Sequence, residues 1–258
     1  MGLLTGKTLL VMGVANKRSI AWGIARSCYR EGARLVFTYQ GDRQRDNLRD
    51  LLEEHMTGED FPIVACDVTD DDGLAAAFQE IGEKVGTLHG LAHCIAFAKT
   101  DELQGEFVNT SRDGYLLAQN VSAYSMVAVA RHARPLLKDG GSLLAMTYIG
   151  GERVVENYNV MGVAKAALEH SIRYLANDLG KENIRVNAIS AGPIRTLSAK
   201  AIHDFNKAVH EMEERTPLRR STTPEEVGDV AAFLFSDLSR GVTGETIHVD
   251  EGFHILGV

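Results

Sequence analysis

Short apolar runs alternate with longer amphipathic segments from the beginning of the chain to its end. Most of these runs have an apolar centre without polar alternation, which is typical of strands that are covered on both faces. The pattern predicts seven strands, at residues 7–12, 34–39, 61–68, within 88–97, 142–148, 184–189 and 246–249. It also predicts helices at residues 19–31, 71–84 and 157–179. This alternation predicts an α/β fold, a doubly wound Rossmann-type parallel β-sheet.

Nothing in the sequence divides the chain into separate units. No linker, low-complexity tract or internal repeat interrupts the alternation of strands and helices. A length of 258 residues lies at the upper end of what one hydrophobic core can hold. We therefore expect residues 1–258 to form a single domain.

Composition and charge narrow the range of functions. The formal net charge of -8 argues against a nucleic-acid partner, because phosphate binding needs a basic face. No apolar run approaches the roughly 18 residues of a membrane span, so we expect no membrane insertion. The first residues lack the basic region and cleavage site of a signal peptide, and we expect a cytoplasmic protein.

The cysteines and histidines show no metal-binding pattern. Cys28, Cys66 and Cys94 each lie in an apolar stretch and form no CxxC pair, which favours small buried hydrophobes. The nine histidines show no HExxH or similar ligand spacing. We therefore expect no metal.

The turn after the first strand has features of a phosphate-binding loop. Gly13 leaves the strand, and Ser19 stands at the beginning of the next helix. Free backbone N–H groups and the positive end of a helix favour a pyrophosphate at such a place. The spacing is not GxGxxG, however, and a plain helix cap explains this segment equally well.

The ends of the second and third strands bear on the choice of cofactor. In doubly wound sheets, ligands bind at the carboxyl ends of the strands. Gln40 can bind a ribose hydroxyl but offers no charge to a 2′-phosphate, which favours NADH over NADPH, although Arg43 and Arg45 lie nearby. Asp67, followed by Val68, suits the adenine ring, but Asp67 could equally cap the next helix.

Tyr158 and Lys165 are the sharpest candidates for catalysis. They lie seven positions apart in a predicted helix and so share one face. An ammonium group near a phenol favours phenolate and would tune the hydroxyl as a donor. Lysine can also reach the ribose of a nicotinamide cofactor. Without further evidence, such a pair on a helix is more often a coincidence than a site.

The joint pattern resembles the short-chain dehydrogenase/reductase superfamily. Typical members have Tyr-x3-Lys and a TGxxxGxG turn, whereas this chain has Met161 four residues before Lys165 and lacks the later glycines. Both departures are similar to the divergent branch of bacterial enoyl-[acyl-carrier-protein] reductases, with Tyr-x6-Lys and Gly-x5-Ser-x-Ala. Further similar segments are residues 93–98, 146–165, 187–199 and 242–255, so the resemblance covers essentially the whole chain.

The resemblance implies a dinucleotide-binding oxidoreductase of fatty acid biosynthesis. Such an enzyme reduces the trans-2 double bond of a fatty enoyl thioester on acyl carrier protein with NADH, and it is a homotetramer. The implied catalytic residues are Tyr148, Tyr158 and Lys165, and the implied substrate contacts are Ala98, Tyr148 and Tyr158. The implied cofactor contacts are Gly13, Ser19, Ile20, Gln40, Asp67, Val68, Ile95, Lys165, Ile194, Thr196 and Ser198. Tyr148 could instead be an aromatic residue packed in the core.

A segment at about residues 195–215 is expected to cover the substrate. Its apolar residues recur at helical spacing, at Ala199, Ile202, Phe205, Val209 and Met212. A lid over an acyl chain and simple packing on the core explain this stripe equally well. Candidates for a basic patch facing an acidic carrier protein are Lys200, Lys207, Arg219 and Arg220.

Two other functions compete with this interpretation. A carbonyl or 3-oxoacyl thioester reductase of the same superfamily would need Tyr at position 161 and Ser or Thr after the fifth strand. Met161 and Tyr148 argue against it. A non-catalytic dinucleotide-sensing protein would share the fold, but the presence of Tyr158 and Lys165 argues against lost activity.

Overall fold

A seven-stranded sheet forms the centre of the computed structural model, which describes residues 2–56, 60–196, 209–210 and 213–257. The strands lie in the order β3-β2-β1-β4-β5-β6-β7, and every neighbouring pair is parallel. Their bounds are β1 Thr8–Met12, β2 Arg34–Tyr39, β3 Ile63–Ala65, β4 Gly90–His93, β5 Gly141–Thr147, β6 Ile184–Ala191 and β7 Thr246–Val249. The predicted doubly wound α/β fold is confirmed.

Helices cover both faces of the sheet, which explains the apolar centres of the strands. The α-helices whose full bounds fall within the described residues are α1 Ile20–Arg30, α2 Asp42–His55, α3 Asp71–Val85, α4 Arg112–Gln119, α5 Ser125–Ala133, α6 Asn159–Leu179 and α7 Pro224–Phe235. In β1, Leu10 packs in one core with α3, α5 and α6, whereas Leu9 packs in a second core with α1, α2 and α7. Successive strand residues point to opposite faces, so both must be apolar.

Several elements depart from the sequence-based expectations. β3 is Ile63–Ala65 and so is shorter than predicted at both ends, and the ring of Phe61 just before it packs against the rings of Tyr29 and Phe37. The pattern did not predict α2, α4, α5 or α7. α2 is strongly polar, with only three buried residues, so it contains few apolar positions from which a helix could be predicted. A π-helical turn, Asn120–Tyr124, separates α4 from α5 and breaks the 3.6-residue period.

The strand order creates a crevice between β1 and β4. The chain passes outward from β1 to β3 and then returns to β4 on the other side of β1, which is where such sheets bind ligands. Gly13 leaves β1 at this point with φ +92°, and a Cβ there would lie 2.2 Å from the carbonyl oxygen of Cys94. Only glycine fits this turn, for both reasons.

Candidate active site

A groove runs along the carboxyl edge of the sheet and consists of two adjoining pockets. The residues that line both pockets lie just after β1 and β4 and are Gly13, Ala15, Cys94, Ile95 and Ala96. From this shared floor, one pocket extends over the ends of β5 and β6, and the other over the ends of β2 and β3. The groove therefore crosses the crevice between β1 and β4.

Most of the predicted site residues line this groove. The pocket over β5 and β6 is lined by Gly13, Ser19, Ile20, Ile95, Tyr148, Tyr158, Lys165, Ile194 and Thr196. The pocket over β2 and β3 is lined by Gly13, Gln40, Asp67, Val68 and Ile95. Ala98 is not among these lining residues and packs with Tyr158 in a small apolar cluster. Ser198 lies outside the described residues, as do most of the positions in the segment expected to cover the substrate.

The beginning of α1 faces the first pocket through Ser19, Ile20 and Ala21. Ser19 is the N-cap residue, as predicted, but its hydroxyl makes no capping hydrogen bond and donates to the carbonyl of Asn16 at 2.6 Å. The positive end of α1 is thus presented to the groove without a side-chain acceptor from Ser19. Such a helix end favours an anionic group.

Gln40 and Asp67 form a polar pair at the other end of the groove. Gln40 Nε2 donates to Asp67 Oδ2 at 3.0 Å, and the backbone N–H of Thr69 donates to Asp67 Oδ1 at 2.9 Å. The Gln40 amide is the largest of the causes that lower the pKa of Asp67. Asp67 does not cap α3, because Asp70 is the N-cap residue of that helix.

Tyr148 and Tyr158 face each other beside the shared floor. Tyr148 follows β5 directly, and Tyr158 directly precedes α6. Their ring centroids are 5.0 Å apart, with an interplanar angle of 71°. Burial raises the pKa of Tyr148 to about 12 and raises that of Tyr158 further, with added contributions from Tyr148 and Glu169. Both phenols therefore remain protonated hydrogen-bond donors near neutral pH.

The surroundings of Tyr158 raise the pKa of its phenol, whereas the sequence analysis expected a neighbouring Lys165 to favour phenolate. The ammonium group of Lys165 is buried and donates to the carbonyl of Met146 at 2.6 Å. Tyr158 occupies the N-cap position of α6 rather than its interior, and its electrostatic neighbours are Tyr148 and Glu169. These neighbours favour the neutral phenol. The site is consequently arranged for hydrogen-bond donation by Tyr158.

Thr147 and Glu169 form a buried contact that the sequence pattern did not reveal. The hydroxyl of Thr147 donates to Glu169 Oε1 at 2.5 Å, and both side chains are buried. The available signal was a carboxyl group on the apolar side of α6, one turn after Lys165 and one turn before Ile172. Such a residue needs a partner when it is buried.

The thiols in and near the groove are neutral. Burial raises the pKa of Cys66 and of Cys94 to about 12. Cys28 and Cys66 are buried, as predicted, whereas Cys94 is partly exposed on the floor of the groove. Among the described residues, no cluster of three or more His, Cys, Asp or Glu side chains could hold a metal ion. In the same part of the chain, no helix has the length and apolarity needed to cross a membrane.

Known proteins are similar to this chain in sequence and in fold. Residues 13–254 match the family model described as enoyl-(acyl carrier protein) reductase. The chain is 65% identical over 257 residues to the enoyl-[acyl-carrier-protein] reductase (NADH) of Bacillus cereus, with 100% of each covered. It is 54% identical over 253 residues to the corresponding NADPH enzyme of Staphylococcus aureus, with 98% of each covered. The crystal structure of the Bacillus cereus reductase with NADP+ and indole naphthyridinone matches with a TM-score of 0.98, at 65% identity and 100% coverage of both chains.

Proposed function

Because the chain belongs to the enoyl-[acyl-carrier-protein] reductase family, we propose that it reduces the trans-2 double bond of fatty enoyl thioesters with NADH. The observation that carries this proposal is the placement of Tyr148, Tyr158 and Lys165 around one of the two adjoining pockets that form the groove. The residues present fit a dinucleotide: the beginning of α1 suits the pyrophosphate, and Gly13 lets the backbone approach closely.

The chemistry of the enoyl thioester assigns a role to each side chain. The bound nicotinamide would supply a hydride to the β-carbon of the substrate. Negative charge then develops on the thioester oxygen, and the neutral phenol of Tyr158 donates a hydrogen bond that strengthens with this charge. The enolate then takes up a proton at the α-carbon, which completes the saturated thioester. Lys165 would hold the ribose of the cofactor and keep the local potential positive. Tyr148 packs against Tyr158 and limits where the thioester can lie.

The rival carbonyl reductase function has less support from the site. Met161, at the position where that reaction needs a tyrosine, is buried in the small apolar cluster with Ala98 and Val160. Thr147 is the only hydroxyl-bearing residue in β5 near the tyrosines, and it donates to Glu169. A non-catalytic dinucleotide sensor would not need the paired tyrosines and the buried lysine.

The partner and the assembly are part of the proposal. We propose acyl carrier protein as the carrier of the substrate and a homotetramer as the functional assembly. Exposed apolar side chains on and around α4 and α6 support an assembly, namely Tyr115, Leu116, Tyr124 and Tyr174. Three free cysteines support a reducing, cytoplasmic location. Of the basic residues considered for the carrier protein, Arg220 pairs with Glu226 and Glu251, and Lys200 and Lys207 lie outside the described residues.

NADH should be a better cofactor than NADPH by about tenfold, a difference of about 1.4 kcal/mol. The guanidinium of Arg45 is paired with Asp42 at 2.9 Å and with Asp46 at 3.1 Å, so its charge is already compensated. Gln40 offers no positive charge at the position expected to meet the ribose, and its amide donates to the carboxylate of Asp67. The measurement is kcat/KM for each cofactor with a trans-2-enoyl thioester, with identification of the saturated product.

Two variants sharpen this test. Asp42→Asn frees Arg45 from one carboxylate and should shift the preference toward NADPH. Asp50→Asn, an exposed position on the same helix, is the matched control and should leave the ratio unchanged. A higher kcat/KM for NADPH in the wild type would contradict the proposed cofactor. Absence of NADH oxidation with any enoyl thioester would contradict the proposed activity.

Lys165→Met should raise the dissociation constant of NADH by about tenfold to a hundredfold. The reason is that the variant lacks the hydrogen bond from the ammonium group to the cofactor, which is worth about 1.5–3 kcal/mol. Burial lowers the pKa of Lys165 to about 8 from 10.5. Between these pH values the unfolded chain binds more protons than the folded protein, so wild-type stability should rise with pH. The variant should lack this rise.

Titration with NADH and thermal unfolding across that pH range check both effects. At neutral pH the variant no longer buries the charge, so we expect its Tm to be no lower than that of the wild type. Loss of NADH binding would then reflect the missing contact and not unfolding. An unchanged NADH dissociation constant would show that Lys165 does not touch the cofactor.

A further inference from the structure

A buried carboxyl group lies next to the tyrosine pair without lining the groove. Glu169 is 6% exposed and lies on α6, one turn after Lys165. Burial raises its pKa, and the hydroxyl of Thr147 counteracts that rise. Glu152 adds negative charge nearby, whereas Arg173 and Lys165 add positive charge. A carboxyl group in such a place is costly unless its partners replace the lost water.

The main partner of Glu169 is the last residue of β5. The hydroxyl of Thr147 donates to Glu169 Oε1 at 2.5 Å, a length typical of a hydrogen bond to an ionised carboxylate. Tyr148 follows Thr147 directly in the chain. The contact therefore ties the backbone that carries Tyr148 to the helix that carries Lys165 and begins after Tyr158.

The turn after Tyr148 also packs against this carboxyl group. A Cβ at Gly151 would lie 2.6 Å from Glu169 Oε1 and 3.1 Å from the backbone nitrogen of Ala166. The backbone N–H of Gly151 donates to the carbonyl of Tyr148 at 2.9 Å. Glu169 thus contacts the residue before Tyr148 and the turn behind it, so it is in a position to determine where the Tyr148 ring lies.

We propose that Glu169 is a positioning residue, which fixes Tyr148 against Tyr158 by accepting the hydrogen bond from Thr147. This inference deepens the proposed function and rests on it, because the two tyrosines must frame the thioester. A displacement of about 1 Å near a reacting centre can lower a rate about a hundredfold. This contact between β5 and α6 therefore has a catalytic consequence although Glu169 touches no substrate.

The test compares Thr147→Val with Thr147→Ser. Val keeps the shape but removes the hydroxyl, and we expect kcat with an enoyl thioester to fall about tenfold to a hundredfold, with the NADH dissociation constant unchanged. Ser retains the hydroxyl and should restore most of kcat. Ser142→Ala is the matched control, because it removes a buried hydroxyl that donates to the carbonyl of Leu234 at 2.8 Å at the other end of β5. It should lower Tm without lowering kcat.

A crystal structure of the Thr147→Val variant tests the positioning role of Glu169 independently of the proposed function. In Thr147→Val the ring of Tyr148 should move relative to Tyr158, whatever substrate the enzyme uses. An unmoved Tyr148, wild-type kcat in Thr147→Val, or the same loss of kcat in Thr147→Ser would overturn the role of Glu169. A displaced ring in an enzyme that does not turn over enoyl thioesters would support the positioning role and contradict the proposed function.

Discussion

Tyr158→Phe should lower kcat for an enoyl thioester by about a hundredfold to a thousandfold. This is the effect expected when one hydrogen-bond donor to a developing oxyanion is removed. The phenol of Tyr158 is protonated near neutral pH, because burial and the neighbouring Tyr148 and Glu169 raise its pKa. It is therefore available as a donor when charge develops on the thioester oxygen. The ring remains in Phe, so packing against Tyr148 at a centroid distance of 5.0 Å is retained.

Steady-state kinetics with a matched variant check this expectation. Tyr148→Phe removes the other hydroxyl of the pair and should cause a smaller loss of kcat. Neither variant should change the NADH dissociation constant much, because Lys165 and not the tyrosines is assigned to the ribose. Equal losses in the two variants would mean that the hydroxyls share the task. A nearly unchanged kcat in Tyr158→Phe would remove Tyr158 from the mechanism.

The apolar pattern predicted the sheet better than the helices. The bounds of β2 and β7 agree with the predicted residues 34–39 and 246–249. β2 has a buried apolar centre, whereas β7 is short and only partly buried. α2 was not predicted, since only Leu48, Leu51 and Leu52 of its residues are buried. Exposed helices of this kind are stabilised by few core contacts and have few apolar positions that could mark them in the sequence.

The position of the groove could be predicted because strand ends in a doubly wound sheet meet at one edge. That rule brought Gly13, Gln40 and Asp67 together, although they lie far apart in sequence. It could not predict the contact between Thr147 and Glu169, which depends on how α6 packs against the end of β5. Nor could it predict the charge environment of Tyr158, because the neighbours of a phenol are fixed by tertiary packing.

The enzyme should strongly prefer the carbon–carbon double bond of an enoyl thioester to the 3-oxo group of a 3-oxoacyl thioester. We expect this preference to be as large as the effect of Tyr158→Phe. In an enoyl thioester the hydride adds to the β-carbon, while the tyrosine acts on the more distant thioester oxygen. A 3-oxoacyl thioester instead needs a donor at the oxygen of the attacked carbon. Met161 stands where that donor would be, and it is buried among apolar side chains. The 3-oxo substrate would therefore lack a donor worth about a hundredfold to a thousandfold in rate.

The most direct test is a side-by-side measurement of kcat/KM for a trans-2-enoyl thioester and the 3-oxoacyl thioester of the same chain length, each with NADH. Wild-type enzyme should favour the enoyl substrate by at least about a hundredfold, and Tyr158→Phe should abolish most of that difference. Faster reduction of the 3-oxoacyl thioester than of the matching enoyl thioester would contradict the assignment.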